Sequence, residues 1–194
     1  MLEVVLAALR GRAARPHLPA SVEIGRILDI GCGAGGWFLE TVRAAEREGL
    51  DRVCSAEART DAPAEGGRCR LQRWDAAQGT LPFSSDWFDA VVMLAFVEHL
   101  TRRQVESLFL DTYRVLKPGG RCVLTTPAPG AERLLRWLAR WGLVSHEEIE
   151  EHHDHFSLPE LRELLCRAGF DERAICQGRF ECGMNLWMTA EKGR

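Results

Sequence analysis

The chain has 194 residues, 46% of them hydrophobic, and a formal net charge of −3 at pH 7. A chain of this length buries roughly two thirds or more of its unfolded surface, so one domain is stable without disulfides or a structural metal. The weak acidic balance excludes the general attraction to nucleic acid that a clustered basic face provides. We therefore expect a single domain over residues 1–194 that binds neither nucleic acid nor a membrane.

The seven cysteines are odd in number and form no Cys-x-x-Cys pair. Most lie in apolar runs, where free cysteine behaves as a small buried hydrophobic residue. This usage predicts a reducing, cytoplasmic setting. The first apolar stretch is too short to span a bilayer. We interpret residues 1–20 as an amphipathic helix and a lead-in, with one apolar face made of Leu2, Val5, Leu6 and Leu9.

Short apolar runs then alternate with amphipathic segments of helix length, a pattern typical of an α/β domain with a largely parallel sheet. Strands are predicted at residues 26–30, 52–56, 68–72, 88–93, 121–125, 174–178 and 185–190. Helices are predicted at residues 37–48, 101–116, 131–141 and 158–168.

Three connections depart from simple alternation. Residues 57–67 are too few for a helical crossover and predict a tight irregular loop. Residues 177–183 resemble a turn between the last two strands, which predicts an antiparallel pair at a sheet edge. The segment 126–156 follows a strand end and is long enough to form a substrate lid, although a peripheral packing helix fits its length equally well.

The first predicted strand leads through a glycine-rich loop into a helix. Gly31, Gly33 and Gly36 fit G-x-G-x-x-G, whereas Gly31, Gly33 and Gly35 fit G-x-G-x-G. Both patterns bring backbone N–H groups close to a nucleotide-like cofactor, so the loop alone does not identify the ligand. Asp29, two residues before the loop, would repel a pyrophosphate but could hold an ammonium group. It favours a cofactor that carries an amino acid.

Two further acids follow predicted strands. Glu57, after the second strand, can accept both hydrogen bonds of a ribose diol, as an acid in a dinucleotide site also does. Asp75, after the third strand, can accept a hydrogen bond from an adenine amino group beside the aromatic Trp74. A dinucleotide fold does not require an acid at that second position.

Short motifs continue in a fixed order along the chain: Leu28-Asp-Ile-Gly-Cys-Gly-Ala-Gly35, Glu57, Trp74-Asp75, Leu81-Pro-Phe83, Trp87-Phe-Asp-Ala-Val-Val92, Val97-Glu-His-Leu100, Leu116-Lys-Pro-Gly-Gly120 and His155-Phe-Ser-Leu158. Each motif is weak alone. Together their order and spacing resemble the class I S-adenosylmethionine-dependent methyltransferases, and within them the small-molecule branch called type 11. The resemblance covers most of the chain.

The resemblance implies a Rossmann-like three-layer αβα sandwich, with a seven-stranded, mostly parallel sheet whose last strand is antiparallel. It also implies S-adenosylmethionine as cofactor, with S-adenosylhomocysteine as product. The implied cofactor contacts are Asp29, Gly31, Cys32, Gly33 and Gly35 for the methionine end, Glu57 for the ribose, Asp75 and the Ala76 N–H for adenine, and the Leu94 carbonyl for the amino group.

Other residues are candidates for the acceptor side. His99, after the fourth strand, could serve as general base for a hydroxyl acceptor or could hydrogen-bond a lid or helix end. His152 and His155 lie in an acidic stretch that includes metal ligands, but consecutive histidines need not face one centre. We expect no metal, and a pocket role for both. Trp137 and Trp141 share a helical face and could line a lid or pack in the core.

These features predict methyl transfer to a small-molecule acceptor by in-line displacement, achieved mainly by positioning. The alternative is a methyltransferase-like binding or regulatory protein without turnover. A nicotinamide-dependent enzyme is disfavoured by Asp29. The sequence leaves open whether oxygen, carbon or nitrogen is methylated, and also the oligomeric state.

Overall fold

The structure is a computed structural model that describes residues 9–19, 24–54, 59–64, 67–76, 79–129 and 156–194. Its strands are β1 (Arg26–Ile30), β2 (Glu46–Asp51), β3 (Arg59–Ala64), β4 (Gly67–Arg73), β5 (Phe88–Leu94), β6 (Leu116–Pro127), β7 (Ile175–Phe180) and β8 (Asn185–Glu191). The α-helices in the described ranges are α1 (residues 9–14), α2 (Trp37–Glu40), α3 (Arg102–Val115) and α4 (Leu158–Ala168).

The strands form one sheet in the order β3-β4-β2-β1-β5-β6-β8-β7. Strands β4, β2, β1, β5 and β6 are parallel, and β8 runs antiparallel to both β6 and β7. Without β3, this is the expected seven-stranded Rossmann-like sheet with an antiparallel last strand, so that prediction is confirmed.

The eighth strand corrects the sequence analysis. Residues 57–67 were predicted to form an irregular loop, but β3 lies in this segment and pairs antiparallel with β4 at the sheet edge. An edge strand presents a row of unpaired N–H and C=O groups, and a segment that folds back beside it satisfies them.

The second strand is also displaced from its predicted position. Residues 52–54, the described part of the strand predicted at 52–56, are not in a strand, so that prediction is wrong there, and the helix predicted at 37–48 is too long. Helix α2 ends at Glu40, and β2 pairs in parallel with β1 and β4 over Glu46–Asp51.

Strand β2 contains several charged residues, so its sequence lacks the apolar pattern of a central strand. In the fold, these charged side chains are hydrogen-bonded. Glu46 accepts a hydrogen bond from Arg26 Nε at 2.6 Å. Arg47 is only 5% exposed, and its guanidinium donates to the carbonyls of Leu39 (3.0 Å) and Gly67 (2.8 Å). Because a buried charge is tolerated only when it is paired or hydrogen-bonded, these partners allow a charged segment to enter a central strand.

The remaining predicted strands are confirmed within two residues, except that β6 is longer than the predicted 121–125. The two long helices are also confirmed. Thr101 and Ser157 form capping boxes with Gln104 and Glu160 at the starts of α3 and α4. Gly169, at φ +113°, ends α4 in the left-handed conformation that suits glycine.

Hydrophobic cores lie on both faces of the sheet. Phe109 of α3 and Leu161 of α4 are buried on one face, and Phe38 of α2 is buried on the other. Within β1, Leu28 belongs to the first core and Ile27 to the second, because strand side chains alternate between faces. The three-layer architecture is therefore confirmed.

The N-terminal segment 1–20 and the lid segment 126–156 are each described only in part. Helix α1 contacts α2, because a Cβ at Gly11 would lie 3.0 Å from Phe38 Cδ2. Leu9, predicted on an apolar face, is 39% exposed. The helix predicted at 131–141 and most of the lid segment lie outside the described residues. Among the residues that are described, no helix is long and apolar enough to cross a membrane.

Candidate functional site

A cavity of about 560 Å³ opens at the carboxyl ends of β1, β2, β4 and β5. Ligands of open parallel sheets bind at this edge, at the point between β1 and β5 where the direction in which successive strands are added reverses. The cavity is lined by residues of the glycine loop, the turn after β2, the end of β4 and the segment between β5 and α3: Gly31, Asp51, Arg52, Val53, Trp74, Asp75, Ala76, Ala95, Phe96, His99, Leu100, Thr101 and Gln104.

The glycine loop begins with a close contact. Gly31 has φ +82°, and a Cβ built there would lie 2.4 Å from Phe96 Cδ2. The backbone N–H groups of Gly31 and Cys32 donate to the Leu50 carbonyl at 2.8 and 3.3 Å. Gly31 is therefore required both by its backbone conformation and by the ring packed against it.

The later glycines divide between ligand access and packing. A Cβ at Gly33 or Gly35 would meet nothing within 4 Å, so the backbone is open to a ligand at both positions. A Cβ at Gly36, the N-cap of α2, would lie 2.6 Å from Leu71 Cδ2. The two overlapping glycine patterns thus serve different purposes in one loop.

Asp29 is a buried carboxylate next to the glycine loop. Its side chain is on β1, the residue is 2% exposed, and Oδ1 has no hydrogen-bond partner within the described part of the chain. Burial, and then the charge of Asp51, raise the pKa of Asp29 to about 8. An unsatisfied buried carboxylate is costly, and an ammonium group would supply both a donor and an opposite charge. Asp29 fits an amino-acid-bearing ligand.

Asp51 is a site residue that the sequence analysis missed. It ends β2, and its Oδ2 accepts a hydrogen bond from Gly33 N at 2.8 Å while Oδ1 accepts one from Val53 N at 3.0 Å. Its carboxylate retains further lone pairs that could accept from ligand hydroxyls. Glu57, predicted for this position, lies outside the described residues. The signal that the sequence offered was the aspartate itself, since aspartate favours turns at strand ends, and in the structure Asp51 forms an Asx turn with Val53.

The end of β4 follows the prediction more closely. Asp75 and Ala76 line the cavity, and Trp74 is buried beside them. The Trp74 N–H donates to the Asp51 carbonyl at 3.0 Å. This bond fixes the ends of β2 and β4 next to each other, so that two acids from different strands meet in one cavity.

The segment after β5 carries His99. Ala95 has φ +52°, an uncommon value for a residue other than glycine, and its N–H donates to the Thr125 carbonyl at 2.9 Å. His99 is half-buried, lines the cavity and ends a 3-10 turn. Leu94 is the last residue of β5 and immediately precedes the cavity-lining Ala95. Backbone strain of this kind concentrates where a chain must turn into a site.

Glu98, in the same turn, is hydrogen-bonded to β6. It is 3% exposed, and the Thr126 hydroxyl donates to its Oε2 at 3.0 Å. Burial raises the pKa of Glu98 above its ordinary value. The bond joins the turn that carries His99 to the end of β6.

Four predicted pocket residues, Trp137, Trp141, His152 and His155, lie outside the described residues, and their roles stay predictions. Within the described ranges, no group of three or more His, Cys, Asp or Glu side chains could hold a metal ion.

Comparison with known proteins assigns a family. A family model described as a methyltransferase domain matches residues 5–174. A ubiquinone biosynthesis O-methyltransferase of Brucella melitensis is 30% identical over 162 residues, which cover 76% of this chain and 64% of that relative. A protein of the same description from a Bradyrhizobium species is 35% identical over 127 residues, which cover 59% and 49%. This chain therefore spans between about half and two thirds of the length of these relatives.

The fold has solved counterparts. The crystal structure of an S-adenosylmethionine-dependent methyltransferase from Mesorhizobium loti superposes with a TM-score of 0.66 at 24% identity. The match covers 93% of this chain and 96% of that one. At this identity the likeness establishes the fold.

Proposed function

Because the chain belongs to the class I S-adenosylmethionine-dependent methyltransferase family, we propose that it transfers a methyl group from this cofactor to a small molecule. The observation that carries the proposal is Asp29, a buried carboxylate with an unpartnered oxygen beside a glycine loop that is open to a ligand. That arrangement suits the methionine end of the cofactor, which carries an ammonium group.

The other cofactor contacts are assigned from the cavity and from the glycine loop that continues beyond its lining residue Gly31. We assign the ammonium group to Asp29, and the methionine end to the loop at Gly33 and Gly35, where the space beside each Cα is open. We assign the ribose hydroxyls to Asp51, which ends the second strand as the predicted Glu57 was expected to do. The adenine amino group goes to Asp75, which lines the same cavity.

When bound, S-adenosylmethionine supplies a methyl group that its positively charged sulfur has already activated. The chain has to hold the acceptor in line with that carbon and exclude water, and positioning of this kind removes roughly 7–11 kcal/mol of a barrier. Phe96 and Leu100 supply apolar walls to the cavity. His99 is the candidate to accept the proton of a hydroxyl acceptor, which typically contributes about a hundredfold or more.

The acceptor class is narrowed by the relatives. Both are named as ubiquinone biosynthesis O-methyltransferases, so an oxygen acceptor, such as the hydroxyl of a phenol, is the first to test. A general base also has most to contribute at oxygen, because a neutral hydroxyl is a weak nucleophile.

The decisive experiment measures cofactor binding and turnover separately. Calorimetry with S-adenosylmethionine should show binding that Asp29→Asn weakens. A screen of phenolic and other metabolites with labelled cofactor should then yield labelled product and S-adenosylhomocysteine. His99→Gln should lower kcat about a hundredfold and leave cofactor affinity unchanged. Failure to bind the cofactor refutes the proposal, whereas binding without turnover across the panel favours the alternative of a binding or regulatory protein.

A further inference from the structure

Two cysteines lie together beside the glycine loop. Cys32 is within the loop and Cys54 follows the turn after β2, and their sulfur atoms are 3.7 Å apart. Both are free thiols, Cys32 half-buried and Cys54 only 2% exposed. They are 22 positions apart in sequence and are brought together because β1 and β2 are adjacent parallel strands.

The pair is part of the structure that holds Gly33. Both sulfur atoms lie 3.4 Å from the Gly33 carbonyl oxygen, at hydrogen-bonding distance for a thiol. On the other side, Gly33 N–H donates to Asp51. Gly49 makes room for the first thiol, since a Cβ there would lie 2.8 Å from Cys32 Sγ. The thiols therefore contact the backbone that we assign to the cofactor.

The separation is short enough for a covalent bond to form. A disulfide has a sulfur–sulfur distance of about 2.05 Å, so the two atoms must approach by about 1.7 Å. Rotation about the Cα–Cβ bonds of both residues, together with a small shift of the loop, can provide that approach. No intervening side chain has to leave, because the sulfur atoms are already in contact.

We propose that Cys32 and Cys54 form a reversible disulfide when a peroxide oxidises the protein. One of the two sulfur atoms attacks a peroxide oxygen, the O–O bond breaks, and a sulfenic acid and one water result. The other thiol sulfur then attacks the sulfur of the sulfenic acid, its proton leaves with the hydroxyl group as a second water, and the S–S bond forms. Two thiols lose two electrons, and one hydrogen peroxide becomes two waters.

The environment makes this oxidation slower than that of a surface cysteine. Burial raises the pKa of Cys32 and of Cys54, so the thiolate that attacks peroxide is scarce. The negative charges of Asp29 and Asp51 act in the same direction. The exposed Cys176 must therefore be removed from any assay of the pair, together with the exposed Cys182.

The disulfide would act on the cofactor site, a consequence that rests on the proposed function. Oxidation removes both S–H donors from the Gly33 carbonyl and draws the loop towards the turn after β2. The backbone open to a ligand at Gly33 is thereby displaced. We expect S-adenosylmethionine to bind about tenfold more weakly to the oxidised protein, and dithiothreitol to restore the affinity.

The test uses the full chain with Cys176→Ser and Cys182→Ser, treated with hydrogen peroxide at pH 8. Peptide mass spectrometry should find Cys32 linked to Cys54 with the loss of two hydrogens, and calorimetry should show the weaker binding. Cys54→Ser is the matched control, because it cannot form the link and leaves the loop cysteine in place.

The outcomes separate the two proposals. Because the buried pair reacts more slowly than a surface thiol, the peroxide treatment is continued well beyond the concentration and time that fully oxidise Cys176 in the unaltered chain. A missing link under those conditions overturns the disulfide, and so does a link that leaves cofactor affinity unchanged. If the reduced protein binds no S-adenosylmethionine, the proposed function fails, and the mapped link alone decides on the thiol pair.

Discussion

Replacing Asp29 with asparagine should stabilise the ligand-free protein at high pH. The pKa of this carboxyl is about 8 in the folded state, against 3.8 for an unperturbed group. The folded protein therefore holds a proton that the unfolded chain releases across this interval. The associated stability is fully present below about pH 4 and is lost as pH rises through about 8, where the folded protein must bury a charge without a partner.

The size of the effect follows from the pKa difference. Each tenfold change in proton affinity is worth about 1.4 kcal/mol, so the interval corresponds to about 6 kcal/mol. This is a large part of the 5–15 kcal/mol by which domains are ordinarily stable. Asparagine has nearly the same shape and no charge. The free energy of unfolding of Asp29→Asn should therefore match that of the unaltered chain near pH 4 and exceed it by about 6 kcal/mol at pH 9.

Urea denaturation of both proteins from pH 4 to pH 9 measures this difference, since contributions from all other groups cancel in the comparison. Asp51→Asn is an informative third variant. Removing the charge that raises the pKa of Asp29 should move the loss of stability to lower pH. If the curves of Asp29→Asn and the unaltered chain run parallel within about 1 kcal/mol, the carboxylate is not buried as described and the reasoning is refuted.

Three further predictions concern the same region. Gly31→Ala should lower the free energy of unfolding by about 2–3 kcal/mol in urea denaturation, because the new Cβ would combine a left-handed φ with the Phe96 ring 2.4 Å away. Gly33→Ala should lower it by about 1 kcal/mol and mainly weaken cofactor binding. Equal losses for the two variants would contradict this. Thr126→Val removes the hydroxyl that donates to buried Glu98 and should lower the free energy of unfolding by about 1–3 kcal/mol, whereas Thr126→Ser keeps the hydroxyl and should retain the free energy of the unaltered chain. Finally, affinity for S-adenosylmethionine should rise with pH between 6 and 7.5, because Asp29 must release its proton to pair with the ammonium group. Calorimetry in buffers of different ionisation enthalpy should detect this proton release, and an affinity that does not change with pH would argue against the pairing.

The sequence predicted those features whose signal is local. The glycine loop, Asp29 before it and Asp75 after β4 are each specified by a few adjacent residues, and the helices α3 and α4 by their amphipathic pattern. Strand β2 could not be found in this way. The buried position of Arg47 depends on the carbonyls of Leu39 and Gly67, which are close only after folding. Asp51 was missed for the same reason, since its role follows from where β2 ends.

Strand β8 has a consequence for how the chain is made. It lies between β6 and β7, so one edge of β6 stays open until the polypeptide has emerged from the ribosome through Glu191, the last residue of β8. An open edge strand is a template for pairing with another chain. The nascent protein should therefore be most prone to aggregation during this interval, and most in need of a chaperone, although all five parallel strands are already synthesised.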